Sequence, residues 1–123
     1  MDGRIWASQG HRLSIWREHA VVVWEIVGAG QEALPVRCDA HDMVGIYGYL
    51  SLWKRGCRAG AWGVGTLLGV HPYYDRASSP CVALHTWVDG EPDNGEPMRL
   101  DADETRELVE AVRDICRDML GGE

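Results

Sequence analysis

The clearest pattern in the sequence is an apolar stripe of helical period near the C-terminus. Its members recur at i, i+4, i+7 and i+11 and are Leu108, Val112, Ile115 and Met119. Asp101 stands three residues before Glu104, which is the spacing of an acidic capping box at a helix N-terminus. Gly121 and Gly122 follow the stripe and are typical of a helix end. The pattern predicts a C-terminal amphipathic helix.

Apolar runs of strand length fill most of the preceding hundred residues. The predicted strands are Ile5–Ala7, Arg12–Arg17, Ala20–Val27, Leu34–Cys38, Trp62–Val70, Cys81–Val88 and Met98–Leu100. The second and third are expected to form a β-hairpin around the polar turn Arg17-Glu18-His19. Residues 88–95 are rich in turn-forming residues and are predicted to be a loop.

Asp42–Arg55 fits two kinds of element. Its apolar residues can form one helical face, but several of them also alternate as they would in a strand. The glycines at 45 and 48 each cost a helix about 1 kcal/mol relative to alanine. Asp39 can cap a helix at the start and Gly56 can end it. Because both ends are marked, a helix is the favoured prediction.

Together these elements predict an α+β fold, with residues 1–123 as a single domain in which a mainly antiparallel sheet packs against two helices. We find no internal repeat and no flexible linker in the sequence. No apolar run approaches the roughly 18 residues of a membrane span. The N-terminal residues also lack the features of a secretory signal. We therefore expect a cytoplasmic protein with no membrane partner.

The composition indicates the kind of genome. Phenylalanine is absent, and Lys54 and Asn94 are the single lysine and asparagine. All three amino acids have AT-rich codons, so we expect a high-GC genome, that of a bacterium or one of its phages.

Charge is divided unevenly along the chain. Residues 89–123 hold twelve carboxylates and four arginines, whereas residues 1–88 are nearly neutral and the whole chain carries −7. A surface of one sign attracts partners of the opposite sign and repels the phosphate backbone of nucleic acids. The sequence therefore predicts a protein partner with a basic surface and no direct contact with nucleic acid.

The predicted partner-binding face combines the last helix with the loop before it. Its acidic residues are Asp89, Glu91, Asp93, Asp103, Glu107, Glu110, Asp114 and Asp118. Those of the helix fall opposite the apolar stripe and are expected to face solvent. Trp87 precedes the loop and could serve as an aromatic anchor, the type of residue that often dominates binding energy.

Metal binding is considered because the chain has four cysteines and five histidines. Cys38 and His41 have a spacing that a turn could close on zinc. Cys81 and His85 would lie about 13 Å apart in a strand, too far to share an ion. One pair does not make a site, so we expect no metal and no cofactor.

Catalysis is not indicated by any local motif. The residue types of a nucleophilic triad are present as Asp75, Ser78, Ser79, His71 and His85. No nucleophile elbow or similar signature surrounds them. We therefore expect a protein that is not an enzyme.

Three functional hypotheses follow. The first is an acidic protein-binding module, such as an inhibitor, immunity or anti-defence protein, that masks the basic nucleic-acid-binding surface of a partner. The second is a small enzyme or ligand-binding domain whose pocket is lined by His71, Tyr73, Tyr74, His85 and Trp62, with Trp87 as a further wall. The third is a structural homo-oligomer whose tryptophans fill a subunit interface.

Overall fold

The computed structural model describes residues 4–8, 10–28, 34–54, 62–64, 68–88, 91–92 and 97–121. Within these ranges the chain forms nine strands and two helices. The strands are β1 (Arg4–Ser8), β2 (His11–Glu18), β3 (Val21–Val27), β4 (Leu34–Cys38), β5 (Trp62–Val64), β6 (Leu68–Tyr74), β7 (Pro80–Val88), β8 (Glu91–Pro92) and β9 (Met98–Arg99). The helices are α1 (Ala40–Lys54) and α2 (Ala102–Leu120). The predicted α+β class is confirmed.

The strands form two antiparallel sheets rather than the single sheet that the sequence predicts. Strands β1 to β4 make the first sheet in chain order, and the second has the order β5-β6-β7-β8, with β9 also pairing with β7. One helix follows each sheet, so the arrangement of an antiparallel sheet and then a helix occurs twice. The repeat is one of topology only, because the sequence itself contains no internal repeat.

In the first sheet, one face is apolar and buried. Its central residues are Leu13, Ile15, Val22, Trp24 and Ile26. They alternate along β2 and β3, and the register sets Leu13 opposite Ile26 and Ile15 opposite Trp24. Buried side chains are therefore neighbours across the strands, which is the main source of sheet stability.

Two predicted turns are shorter than expected. Strand β2 continues to Glu18, so the hairpin turn lies at His19 and Ala20 rather than at residues 17–19. His19 adopts a left-handed backbone with φ of 59°, which allows so tight a reversal. Within the predicted loop at 88–95, Glu91–Pro92 pairs with the end of β7 as strand β8.

The prediction of one strand over Trp62–Val70 is wrong. The structure has two strands there, β5 and β6, which pair antiparallel with Trp62 opposite Val70 and Val64 opposite Leu68. In this segment the apolar residues alternate with the same period in a single strand and in a hairpin whose register pairs the glycines at 63 and 69. Pairing between the two halves of the segment decides the outcome.

The segment Asp42–Arg55 is helical, as favoured, through Lys54. Arg55 and the predicted helix end at Gly56 lie outside the described residues. In α1 the Asp42 amide donates to Asp39 Oδ1 at 2.8 Å, and the Asp39 amide donates to Asp42 Oδ2 at 3.2 Å. The predicted capping box of α2 is present, with the Glu104 amide donating to Asp101 Oδ1 at 2.7 Å and the Asp101 amide donating to Glu104 Oε1 at 2.9 Å. Among the described residues, no helix is both long and apolar enough to cross a membrane.

Both sheets and both helices share one buried core. Helix α1 contacts strands of both sheets, and α2 packs on α1 and on β7. The largest fully buried side chains come from both sheets and both helices and include Trp24, Ile26, Met43, Ile46, Leu84, Met98 and Leu108. The continuous core makes the chain a single domain.

A polar contact within this apolar core joins a tryptophan to a methionine. The Trp24 indole N–H donates to the Met43 sulfur at 3.4 Å, and both residues are buried. An indole N–H buried without an acceptor would cost free energy, and the thioether supplies a weak one.

Met43→Leu should destabilise the protein more than Met98→Leu. Both methionines are fully buried, and the change of shape costs less than about 1.5 kcal/mol at either position. Only Met43→Leu also leaves the Trp24 N–H without its acceptor, which adds about 1 kcal/mol or more to the loss. Urea unfolding followed by tryptophan fluorescence measures the difference, and equal losses would show that the contact is energetically neutral.

The three cysteines among the described residues, Cys38, Cys81 and Cys116, are buried free thiols. Burial, together with the nearby carboxylates of Asp42 and Asp39, raises the pKa of Cys38 from 9.0 to about 12. Burial also raises the pKa values of Cys81 and Cys116. The folded state therefore favours the neutral thiols.

The free energy of unfolding should fall as the pH rises above about 9. The Cys38 thiol ionises near pH 9.0 when it is exposed but near 12 when it is folded. Between these values the unfolded state binds fewer protons, so raising the pH favours unfolding. Urea titrations at several alkaline pH values measure the slope, and Cys38→Ala should reduce it. An unchanged slope in that variant would contradict the assignment to Cys38.

Candidate acidic docking site

The exposed face of α2 carries five carboxylates in one line. They are spaced i, i+4, i+7, i+11 and i+15 and are Asp103, Glu107, Glu110, Asp114 and Asp118. At 3.6 residues per turn, this spacing keeps all five within about 80° of arc around the helix. The opposite face buries Leu108, Val112 and Cys116 in the core. We call these five residues the acidic stripe.

Arginines on the same helix neutralise part of the acidic stripe. Arg106 forms an ion pair with Asp103, and Arg113 forms one with Asp114 at 3.3 Å. These pairs are solvent-exposed, so each contributes at most about 1 kcal/mol to stability. The remaining carboxylates of the stripe form no ion pair with another described residue. Negative charge therefore prevails along this face.

A cleft of about 380 Å³ lies between α2 and the first strand. Its walls are Arg4, Ile5 and Trp6 of β1 and Glu107, Glu110, Ala111 and Asp114 of α2. Trp6 is only 8% exposed, whereas Ile5 is 70% exposed. Three carboxylates thus face one arginine across a partly apolar cleft. Its net charge suits a cationic side chain that also has an apolar portion.

The sequence predicts the acidic wall of this cleft but misses the other wall. The helical period identifies Glu107, Glu110 and Asp114, because all three lie on one element. Arg4 and Trp6 are about a hundred residues away in the chain. Only the packing of α2 beside β1 brings them together. The one signal in the sequence is that Ile5 and Trp6 give a short strand apolar residues on both faces.

The loop part of the predicted partner-binding face is described only in part. Glu91 is in β8, opposite Val88, and Trp87 is opposite Pro92. Their side chains, and the whole of Asp89 and Asp93, lie outside the described residues. The aromatic side chain that the structure does place beside the acidic stripe is Trp6.

The two tyrosines of the alternative pocket do not share a face. Tyr73 and Tyr74 are consecutive in β6, so their side chains lie on opposite sides of the sheet. The Tyr73 hydroxyl donates to the Leu100 carbonyl at 2.5 Å, and burial raises the pKa of Tyr73 to about 12. Tyr74 is 53% exposed. Tyr73 thus fastens β6 to the segment that leads into α2.

The other residues of that pocket also occupy different register positions. In the second sheet His71 is opposite Ala83, and His85 is opposite Gly69, so His71 and His85 have positions on one face. Trp62 is opposite Val70, which belongs to the other face. The side chains of Trp62 and His85 lie outside the described residues. The register therefore divides the predicted pocket between two faces.

The structure shows where several of the candidate catalytic and metal-binding residues lie. Asp75 Oδ1 accepts hydrogen bonds from the amides of Ala77 and Ser79, each at 2.9 Å, and so shapes the loop between β6 and β7. Cys38 is buried in the core, whereas His41 is exposed on α1. The described part of the chain contains no group of three side chains that could hold a metal ion.

Comparison with known proteins identifies a shared fold. No family model and no curated protein matches the sequence. Among solved structures, the fold is similar to that of the MRP1/MRP2 proteins of Trypanosoma bruciei. The TM-score is 0.61, the similarity covers 98% of this chain and 85% of that chain, and the sequences are 14% identical. At this identity, the comparison shows that the two chains share an architecture.

Proposed function

We propose that this protein is a small acidic binding module that docks on a basic surface of another protein. The observation that carries the proposal is the acidic stripe, of which Glu107, Glu110 and Asp114 also form one wall of the cleft. A row of exposed charges of one sign accelerates the approach of an oppositely charged partner and disfavours other partners. The cleft adds a concave surface into which an anchoring side chain could insert.

The helix itself gains little from the acidic stripe. Like charges four residues apart on a helix destabilise it by about 0.2–0.5 kcal/mol per pair. Asp118 lies in the last turn of α2, where the helix dipole disfavours negative charge. Asp103 is in the first turn, where the dipole favours it. The carboxylates beyond the first turn are therefore better explained by recognition than by helix stability.

A basic protein surface fits this site better than a nucleic acid or a substrate does. The net charge of −7 repels phosphates. A catalytic carboxylate needs a desolvated environment that raises its pKa, whereas Glu107 and Glu110 are exposed. In our proposal the protein has no catalytic activity and needs no cofactor.

The specific role that we propose is inhibition. Carboxylates in a row can occupy the positions of phosphates on a nucleic-acid-binding surface and so mask it. An inhibitor, immunity or anti-defence protein in the cytoplasm of a high-GC bacterium, or encoded by its phage, would act in this way. The small size of the chain and the position of the acidic stripe on a rigid helix support this role.

Replacing Glu107, Glu110 and Asp114 by Lys should strongly weaken partner binding. Each close charge pair at an interface contributes about 1.5 kcal/mol or more, so we expect the affinity to fall at least about 100-fold. Because fewer ion pairs form, the remaining binding should depend less on salt. The partner would be captured from a bacterial lysate on the immobilised native chain and identified by mass spectrometry. Its dissociation constant would then be measured with purified proteins at two salt concentrations.

Duplex DNA provides the control for the masking role. It should displace the purified partner from the native chain if both bind the same basic surface. A partner whose affinity is the same for the native chain and the triple variant would contradict docking through the acidic stripe. In native mass spectra, a bound small molecule would favour the ligand-binding alternative, and a doubled mass that is lost on dilution would favour the homo-oligomer.

A further inference from the structure

The direction of the cleft follows from its lining residues. Arg4, Ile5 and Trp6 are consecutive in β1, and all three line it. Successive side chains of a strand point to opposite faces of the sheet. A cleft lined by three successive residues therefore reaches the edge of the strand and is not confined to one face. Because β2 occupies one edge of β1, the cleft follows the other.

The second edge of β1 pairs with no described strand. β1 is the terminal strand of the first sheet. An edge strand presents backbone N–H and C=O groups that can pair with another extended segment. Proteins often protect such edges with charged side chains or proline. β1 has no proline, its one charge is Arg4 at the start, and Ile5 is 70% exposed.

The two walls of the cleft have similar lengths. From Glu107 to Asp114 the helix rises about 10 Å, and from Arg4 to Trp6 the strand spans about 7 Å. An extended segment of three residues would therefore contact both walls along its whole length. Its backbone would face the edge of β1, and its side chains would reach the carboxylates of α2.

We propose that a basic, extended segment of the partner adds as a further strand to the edge of β1 that pairs with no described strand. Its backbone pairs with β1, and its cationic side chains lie against Glu107, Glu110 and Asp114. This mode of recognition joins main-chain hydrogen bonds, which give affinity, to side-chain contacts, which give specificity. The charge of the cleft selects a basic segment, and its course along the strand edge selects an extended one. The inference rests on the proposed function and specifies how the acidic stripe is used.

Two synthetic peptides test the backbone pairing. The first is a capped seven-residue peptide of alternating arginine and valine, and the second is the same peptide N-methylated at every internal residue. They have the same charge, but the second lacks the N–H donors that strand pairing requires. We expect the first to bind the native chain at least about tenfold more tightly. It should also slow hydrogen exchange at backbone amides of Arg4–Ser8.

Two double variants with the same change in charge test whether the peptide binds in the cleft. Glu107→Lys/Glu110→Lys reverses two charges in the cleft. Asp103→Lys/Asp118→Lys reverses two charges at the ends of the acidic stripe, outside the cleft. The cleft variant should bind the unmethylated peptide at least about tenfold more weakly than the end variant, because close charges act more strongly than screened, distant ones. Circular dichroism would verify that both variants are folded.

The two proposals fail in different ways. If both peptides bind alike and the cleft variant weakens both, docking on the acidic stripe stands and strand addition is overturned. If neither the peptides nor polylysine bind at low salt, both proposals are overturned. If hydrogen exchange at the β1 amides slows as the protein concentration rises in the absence of peptide, the edge is occupied by a second copy of the chain rather than by a partner segment.

Discussion

The burial of the apolar face of α2 is the constraint on which the rest of the structure depends. Neither sheet can cover its own apolar face, and α1, which contacts both sheets, joins them into one core. α2 completes that core by packing on α1 and β7 with Leu108, Val112 and Cys116. Once this face is buried, the rotation of the helix about its axis is fixed. The acidic stripe must then face outwards, and the cleft beside β1 follows from the same packing.

Local interactions at the start of α2 support the constraint. The capping box of Asp101 and Glu104 sets where the helix begins. Just before it, Leu100 accepts the hydrogen bond of Tyr73 and donates its amide to the Val82 carbonyl. The first turn of the helix is attached as well, because the Thr105 hydroxyl accepts a hydrogen bond from the Val82 amide. The position of the acidic stripe is therefore determined by buried contacts rather than by its own weak ion pairs.

The sequence predicts what depends on neighbouring residues and fails where distant segments meet. Caps at Asp39 and Asp101 and the exposure of Glu107 follow from spacing along one element. The division of Trp62–Val70 into two strands depends on which residues pair, and a glycine-rich segment gives no preference. The presence of Arg4 and Trp6 in the cleft depends on how α2 lies beside β1. For the same reason the sequence predicts an acidic face but not a cleft.

The structural similarity concerns the architecture of the chain and does not identify its function. The chain shares its fold with a protein to which it is 14% identical, so the same architecture forms from very different sequences. Function must then be argued from residues that the fold does not require. Buried residues such as Trp24 and Met43 serve the core, and Asp39, Asp75 and Asp101 serve caps and turns. Glu107 and Glu110 have neither role, and both line the cleft beside β1.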